Sequence, residues 1–86
     1  MINLKDKKII ITGASGGIGN SIVQKFSDCG ARILATGTRI EKLEEIKSKF
    51  KNVSIIKFDI SQNDKIEEFI EKATSELGGS LDCIVN

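Results

Sequence analysis

Thr12-Gly13-Ala14-Ser15-Gly16-Gly17-Ile18-Gly19 decides how this 86-residue chain folds. The apolar run Ile9-Ile10-Ile11 leads into it, and a segment of helical spacing leaves it. Strand, glycine-rich turn and helix in that order make an anion cradle. Without Cβ atoms the backbone can turn sharply and approach a ligand closely, while free N–H groups at the helix start point at it. A diphosphate is the group such a loop most often holds. A nucleoside-triphosphate loop would need Lys and then Ser or Thr after its last glycine, but Gly19 is followed by Asn20. Ser15 breaks the pattern G-x-G-x-x-G, leaving T-G-x-x-x-G-x-G through Gly13, Gly17 and Gly19. Gly13, Gly16 and Gly19 also fit G-x-x-G-x-x-G.

Working outward, residues 7–12 read as a fully buried strand. A helix starts near Gly17, with Ile18, Ile22, Val23 and Phe26 on one face and Asn20, Gln24 and Lys25 on the other. Gly30 is placed to cap its end. Residues 32–36 form a second short apolar strand. Ile40, Leu43, Ile46 and Phe50 then mark a second helix whose intervening charges read as a solvated face. Residues 53–58 make a third strand in which Ser54 and Lys57 suit a sheet edge. Ser61-Gln62-Asn63-Asp64 matches a capping box opening a third helix, with Ile66, Phe69, Ile70, Ala73 and Leu77 as its apolar stripe and Gly78-Gly79 as its end. A fourth strand begins at Leu81 and runs to Val85.

This β-α-β-α-β-α-β order predicts an α/β fold of three layers, with right-handed crossovers and a parallel sheet of strand order 3-2-1-4. It is the N-terminal half of a doubly wound, Rossmann-type sheet, and it puts the glycine loop at the switch point where ligands bind. Residues 1–86 are expected to be the first part of one such domain, cut after strand four. The first two helices should share one face and the third should cover the other alone. Strand four is then an exposed apolar edge, so self-association into a homo-oligomer is expected.

Composition narrows the function classes. With 40% hydrophobic and 29% charged residues the chain reads as ordinary, soluble and globular. A net charge of +1 with interspersed signs excludes a basic face for nucleic acid. No apolar run approaches the roughly 18 residues of a membrane span, and no secretory leader is visible, so a cytoplasmic location is expected. Cys29 and Cys83 are too few for a metal site and read as small buried residues.

The loop resembles that of the short-chain dehydrogenase/reductase family, whose Rossmann-type domain binds NAD or NADP. The loop glycines fit both the short and the extended branch of that family. Leu81-Asp82-Cys83-Ile84-Val85-Asn86 separates them, being similar to the L-D-x-L-V-N of the short branch. The resemblance implies that Gly13, Ala14, Ser15, Gly16, Gly17, Ile18, Gly19 and Asn86 lie against the cofactor. Phe58-Asp59-Ile60 resembles the family's Asp-plus-aliphatic pair, which implies that Asp59 and Ile60 meet the adenine; Asp59 could also help cap the third helix.

An NAD site would carry Asp or Glu after strand two. Here stands Gly37-Thr38-Arg39, where Thr38 offers a hydroxyl and Arg39 a guanidinium fork suited to a phosphate, so the expected cofactor is NADP. The loop and the G-T-R turn look most like bacterial 3-oxoacyl-(acyl-carrier-protein) reductases, implying a carbonyl substrate, free or carrier-bound. The family's catalytic Ser, Tyr, Lys and Asn lie beyond the stretch that follows Asn86. This sequence contains no Tyr and no His. It therefore offers no catalytic residue of its own, and the alternative to an oxidoreductase segment is a stand-alone nucleotide-binding or interaction module.

Overall fold

The computed structural model describes residues 2–86. Four parallel strands form one sheet in the order β3-β2-β1-β4, with β1 at Lys8–Ile11, β2 at Arg32–Gly37, β3 at Val53–Lys57 and β4 at Cys83–Val85. Ile10 stands opposite Leu34 on one side and Ile84 on the other, and Ala35 stands opposite Ile55. The crossovers are α1 (Gly17–Asp28), α2 (Ile40–Lys49) and α3 (Ile66–Glu76), the last entered through one 3₁₀ turn at Asn63–Lys65.

The two central strands are apolar on both faces because helices cover both faces. Ile9, Ile11, Ile33 and Ala35 pack with Val23, Leu43 and Ile46 under α1 and α2. Ile10 and Leu34 pack with Phe69, Ala73 and Leu77 under α3 alone. Each fully buried Ile or Leu contributes roughly 1.5–3 kcal/mol, so the continuous runs in β1 and β2 define the core. As the sequence predicts, β3 is an edge, with Lys57 exposed and Ser54 half-buried. Gly30, Gly78 and Gly79 all take positive φ where α1 and α3 end.

Four expectations are corrected. Ile18 is 81% exposed and does not join the apolar face of α1. Gly19 and Val23 are the buried residues of that helix, and turning Gly19 onto the loop rotates Ile18 outward. The capping box does not form: Ser61 donates its O–H (2.7 Å) and its N–H (3.0 Å) to Asp59 Oδ1, facing back toward β3. Cys29 is half-buried and Cys83 exposed, so neither is a core residue. The fourth strand starts at Cys83, while Leu81 packs against the α3 layer. Among the described residues no helix is long and apolar enough to cross a membrane.

Candidate functional site

β1 ends at Ile11, and two residues on Gly13 turns the chain with φ +63, a left-handed conformation that costs a glycine least. Gly16 N–H closes the turn on Gly13 O at 3.2 Å, and Asn20 N–H bonds Gly16 O at 3.0 Å as the first turn of α1. The amides of Gly17, Ile18 and Gly19 precede that bond and are left without an intrahelical acceptor. The first turn of α1 carries no acid, so its positive end is not neutralised. A Cβ at Gly19 would stand 2.2 Å from Gly13 O and 2.7 Å from Ala14 Cα, whereas one at Gly17 would meet open space. The two glycines do different work: Gly19 lets the helix sit on the loop, and Gly17 leaves room above it.

Two contacts tie the loop to the sheet. Ala14, fully buried, donates its N–H to Thr36 O at 2.9 Å. Thr12 donates its N–H to Val85 O at 2.9 Å, and its hydroxyl reaches Val85 O and Asn86 Oδ1, each at 3.2 Å. Asn86 is thereby held beside the end of β1.

Two clefts flank Ser15. The first, about 260 Å³, lies between the loop and α2 and is bounded by Gly16, Asn20, Arg39, Lys42 and Glu45. Arg39 Nη2 donates to Ser15 O at 2.8 Å across its mouth, and Lys42 Nζ lies 4.0 Å from Glu45 Oε2. The second, about 100 Å³, lies between the ends of β2 and β3 and is bounded by Thr36, Gly37, Thr38, Phe58, Asp59 and Ile60. Phe58 anchors its far wall by stacking on Phe69 with ring centroids 4.4 Å apart and by donating its N–H to Gly37 O. The Ser61 hydroxyl, and then the Ser61 N–H, hold the exposed Asp59 carboxyl below its ordinary value of 3.8. Gly37 packs on the loop so closely that a Cβ there would fall 2.5 Å from Ser15 Oγ.

The structure thus gathers Gly13, Ala14, Ser15, Gly16, Gly17, Thr38, Arg39, Asp59 and Ile60 around these clefts. Gly19 lies beneath the loop as a packing residue, and Asn86 sits across from Thr12. Ile18 points instead over a shallow apolar groove shared with Ile22, Phe26 and Val85. Sequence reasoning missed Lys42, Asn20, Thr12 and Thr36. Lys42 lies three residues after Arg39 and so on the same helix surface, which is the signal that could have found it.

A larger hollow of about 600 Å³ opens at the opposite end of the sheet, near Lys5, Lys8, Arg32 and Asp82. Size does not make it the site. Some of the polar groups at its edge are already bonded: Lys8 N–H meets Asp82 Oδ2 at 2.8 Å, and Arg32 Nη2 reaches Ser54 Oγ and Glu76 O at 3.1 and 3.3 Å.

The pattern of the short chain dehydrogenase family matches residues 7–86. The chain belongs to this family. An uncharacterised oxidoreductase of Staphylococcus saprophyticus is 39% identical over 88 residues, taking in 100% of this chain and 35% of its own length. A short chain dehydrogenase crystallised from Bacillus anthracis is 34% identical, with a TM-score of 0.82 over 94% of this chain and 35% of that one. A 3-ketoacyl-(acyl-carrier-protein) reductase of Brucella melitensis in complex with NADH shares the fold, at 24% identity and a TM-score of 0.86 over 95% of this chain and 34% of that one. The chain spans about a third of the length of the curated relatives it matches. Family members are oxidoreductases, and the relative at 39% identity carries that general name rather than an acyl-carrier one.

Proposed function

We propose that residues 1–86 form the NADP(H)-binding part of a short-chain oxidoreductase that interconverts a carbonyl and a hydroxyl. The bound cofactor supplies the hydride. The free amides of Gly17 and Ile18 would face its diphosphate, Asp59 and Ile60 its adenine, and Arg39, Lys42 and Thr38 its 2′-phosphate. One observation carries the NADP reading. Two cations, Arg39 and Lys42, border the cleft beside the loop, while the end of β2 presents Gly37, where even a Cβ crowds Ser15. Glu45 is the acid of that cleft, and it faces Lys42. A 2′-phosphate brings close to two negative charges, which a guanidinium fork meets well. A 3-oxoacyl thioester is the substrate class to try first, on the resemblance of the loop and the G-T-R turn to 3-oxoacyl-(acyl-carrier-protein) reductases.

Fluorescence titration of the chain with NADPH and NADH tests the cofactor. A charge-assisted pair worth about 1.5–3 kcal/mol corresponds to roughly a 10- to 150-fold preference for NADPH. Arg39→Ala should remove most of it without changing the melting temperature. Equal affinity for both cofactors in the parent, or a ratio unmoved by Arg39→Ala, would refute the reading. Without Tyr or His, the chain alone should oxidise no NADPH in the presence of a 3-oxoacyl thioester. Protein-dependent turnover above a buffer blank would show otherwise.

A further inference from the structure

Thr36 is 1% exposed on a strand whose preceding residues, Ile33, Leu34 and Ala35, are all buried and apolar. Among the described residues its hydroxyl has no hydrogen-bond partner. A buried hydroxyl without a partner lowers stability relative to the same shape without the oxygen. Val at this place would keep the β-branched shape that suits a strand. The backbone of Thr36 is already employed, its carbonyl holding Ala14 N–H of the glycine loop at 2.9 Å. The side chain therefore needs a reason of its own.

Its position supplies one. Thr36 borders the smaller cleft together with Asp59 and Ile60, the pair assigned above to the adenine. A threonine hydroxyl both donates and accepts, and it reaches different neighbours by turning about χ1. We infer that the Thr36 hydroxyl is a hydrogen-bonding group for the adenosine part of the bound nucleotide, unpaired in the free chain and paired when the cleft fills. This rests on the nucleotide reading given above. It adds to that reading a residue outside the glycine loop and the charged turn.

Thr36→Val and Thr36→Ser separate this role from a structural one, with 2′,5′-ADP as the calorimetric probe and thermal melts alongside. Thr36→Val should melt as high as the parent or higher and bind the probe roughly 2- to 12-fold more weakly, the worth of one ordinary hydrogen bond. Thr36→Ser, which keeps the oxygen, should bind like the parent. Unchanged binding by Thr36→Val overturns the inference while leaving the nucleotide site standing. So does a loss of binding that Thr36→Ser shares and that follows a lowered melting temperature. A parent chain that binds no 2′,5′-ADP would bring down the nucleotide reading itself, and this inference with it.

Discussion

The two ends of the sheet treat their polar groups in opposite ways. At the N-terminal end the groups close on one another. Leu4 N–H bonds Cys29 O at 2.7 Å, Ser27 Oγ donates to Asn52 Oδ1 at 2.7 Å, and Asn52 Nδ2 donates to Ala31 O. Lys8, Asp82, Arg32 and Ser54 are bonded likewise. At the C-terminal end, three amides of α1 and the Thr36 hydroxyl are left without protein partners among the described residues. Buried polar groups are normally satisfied, so the free Thr36 hydroxyl at this end is what the proposed nucleotide reading has to account for. The hollow of about 600 Å³ near Lys8 and Asp82 exceeds both clefts beside Ser15, so volume is not the ground on which the proposed site rests.

The heaviest way to break that contrast is to lift α1 off the loop. Gly19→Ala would drive a methyl into Gly13 O and Ala14 Cα, both backbone atoms that cannot swing aside. Overpacking of this kind costs about 1–3 kcal/mol or more, which lowers the melting temperature of a domain this size by several degrees per kcal/mol. Binding of 2′,5′-ADP should vanish with it. Gly17→Ala, two residues earlier, meets nothing within 4 Å and should leave the melt nearly unchanged. Equal melting temperatures for the two variants would mean that the close approach at Gly19 is not what holds the loop.

At the satisfied end, Asn52→Ala removes the bridge between Ser27 and Ala31 O and strands both partners. The loss should be about 1–3 kcal/mol in urea unfolding, with the affinity for 2′,5′-ADP unaltered in the folded fraction. A drop in affinity as large as the drop in stability would erase the distinction between the ends. Gly37→Asp crosses it in the other direction. On charge alone an added acid would exchange NADP for NAD, but the Cβ must first displace Ser15. Affinity for both cofactors should therefore fall, and a clean gain for NADH would contradict the crowding.

Strand order and the place of the loop were legible because they follow from strong, local signals. Continuous apolar runs marked β1 and β2, and right-handed crossovers leave few arrangements for what lies between. The same local reading misplaced Ile18, since counting apolar residues ignored Gly19, whose lack of a side chain decides which way α1 faces. It misread Ser61 because the capping pattern looks forward along the chain, while Asp59 two residues earlier competes for the same hydroxyl. Lys42 was hidden in a run of helix charges that reads as solvated. Only the packing of α2 beside the glycine loop brings two of those charges, Lys42 and Glu45, to a cleft. Thr36 could not be found at all from sequence, because an unpaired hydroxyl is a property of three-dimensional neighbours.

The smallest effect concerns Asp59, at the ligand end but bonded within its own turn. Ser61 O–H and N–H both favour the ionised carboxylate and hold its pKa below 3.8. A pKa depressed by folding adds stability that is complete above the unfolded value and is lost as pH falls through the folded one. The window therefore lies below about pH 4, and because the group is fully exposed the change in stability there should be slight. An NMR titration of the Asp59 carboxyl carbon should give a midpoint under 3.8 in the parent. Ser61→Ala removes the hydroxyl, the first of the two causes, and should raise the midpoint while the Ser61 N–H still holds it down. Both Ser61 bonds go to Oδ1, which leaves Oδ2 free to accept from a nucleobase at neutral pH. Affinity for 2′,5′-ADP should hold steady from pH 8 to pH 5 as far as Asp59 is concerned and weaken only toward its titration. A midpoint at or above 3.8 in the parent would show that the Ser61 turn does not form in solution, and Asp59 would then be free to swing away from the cleft.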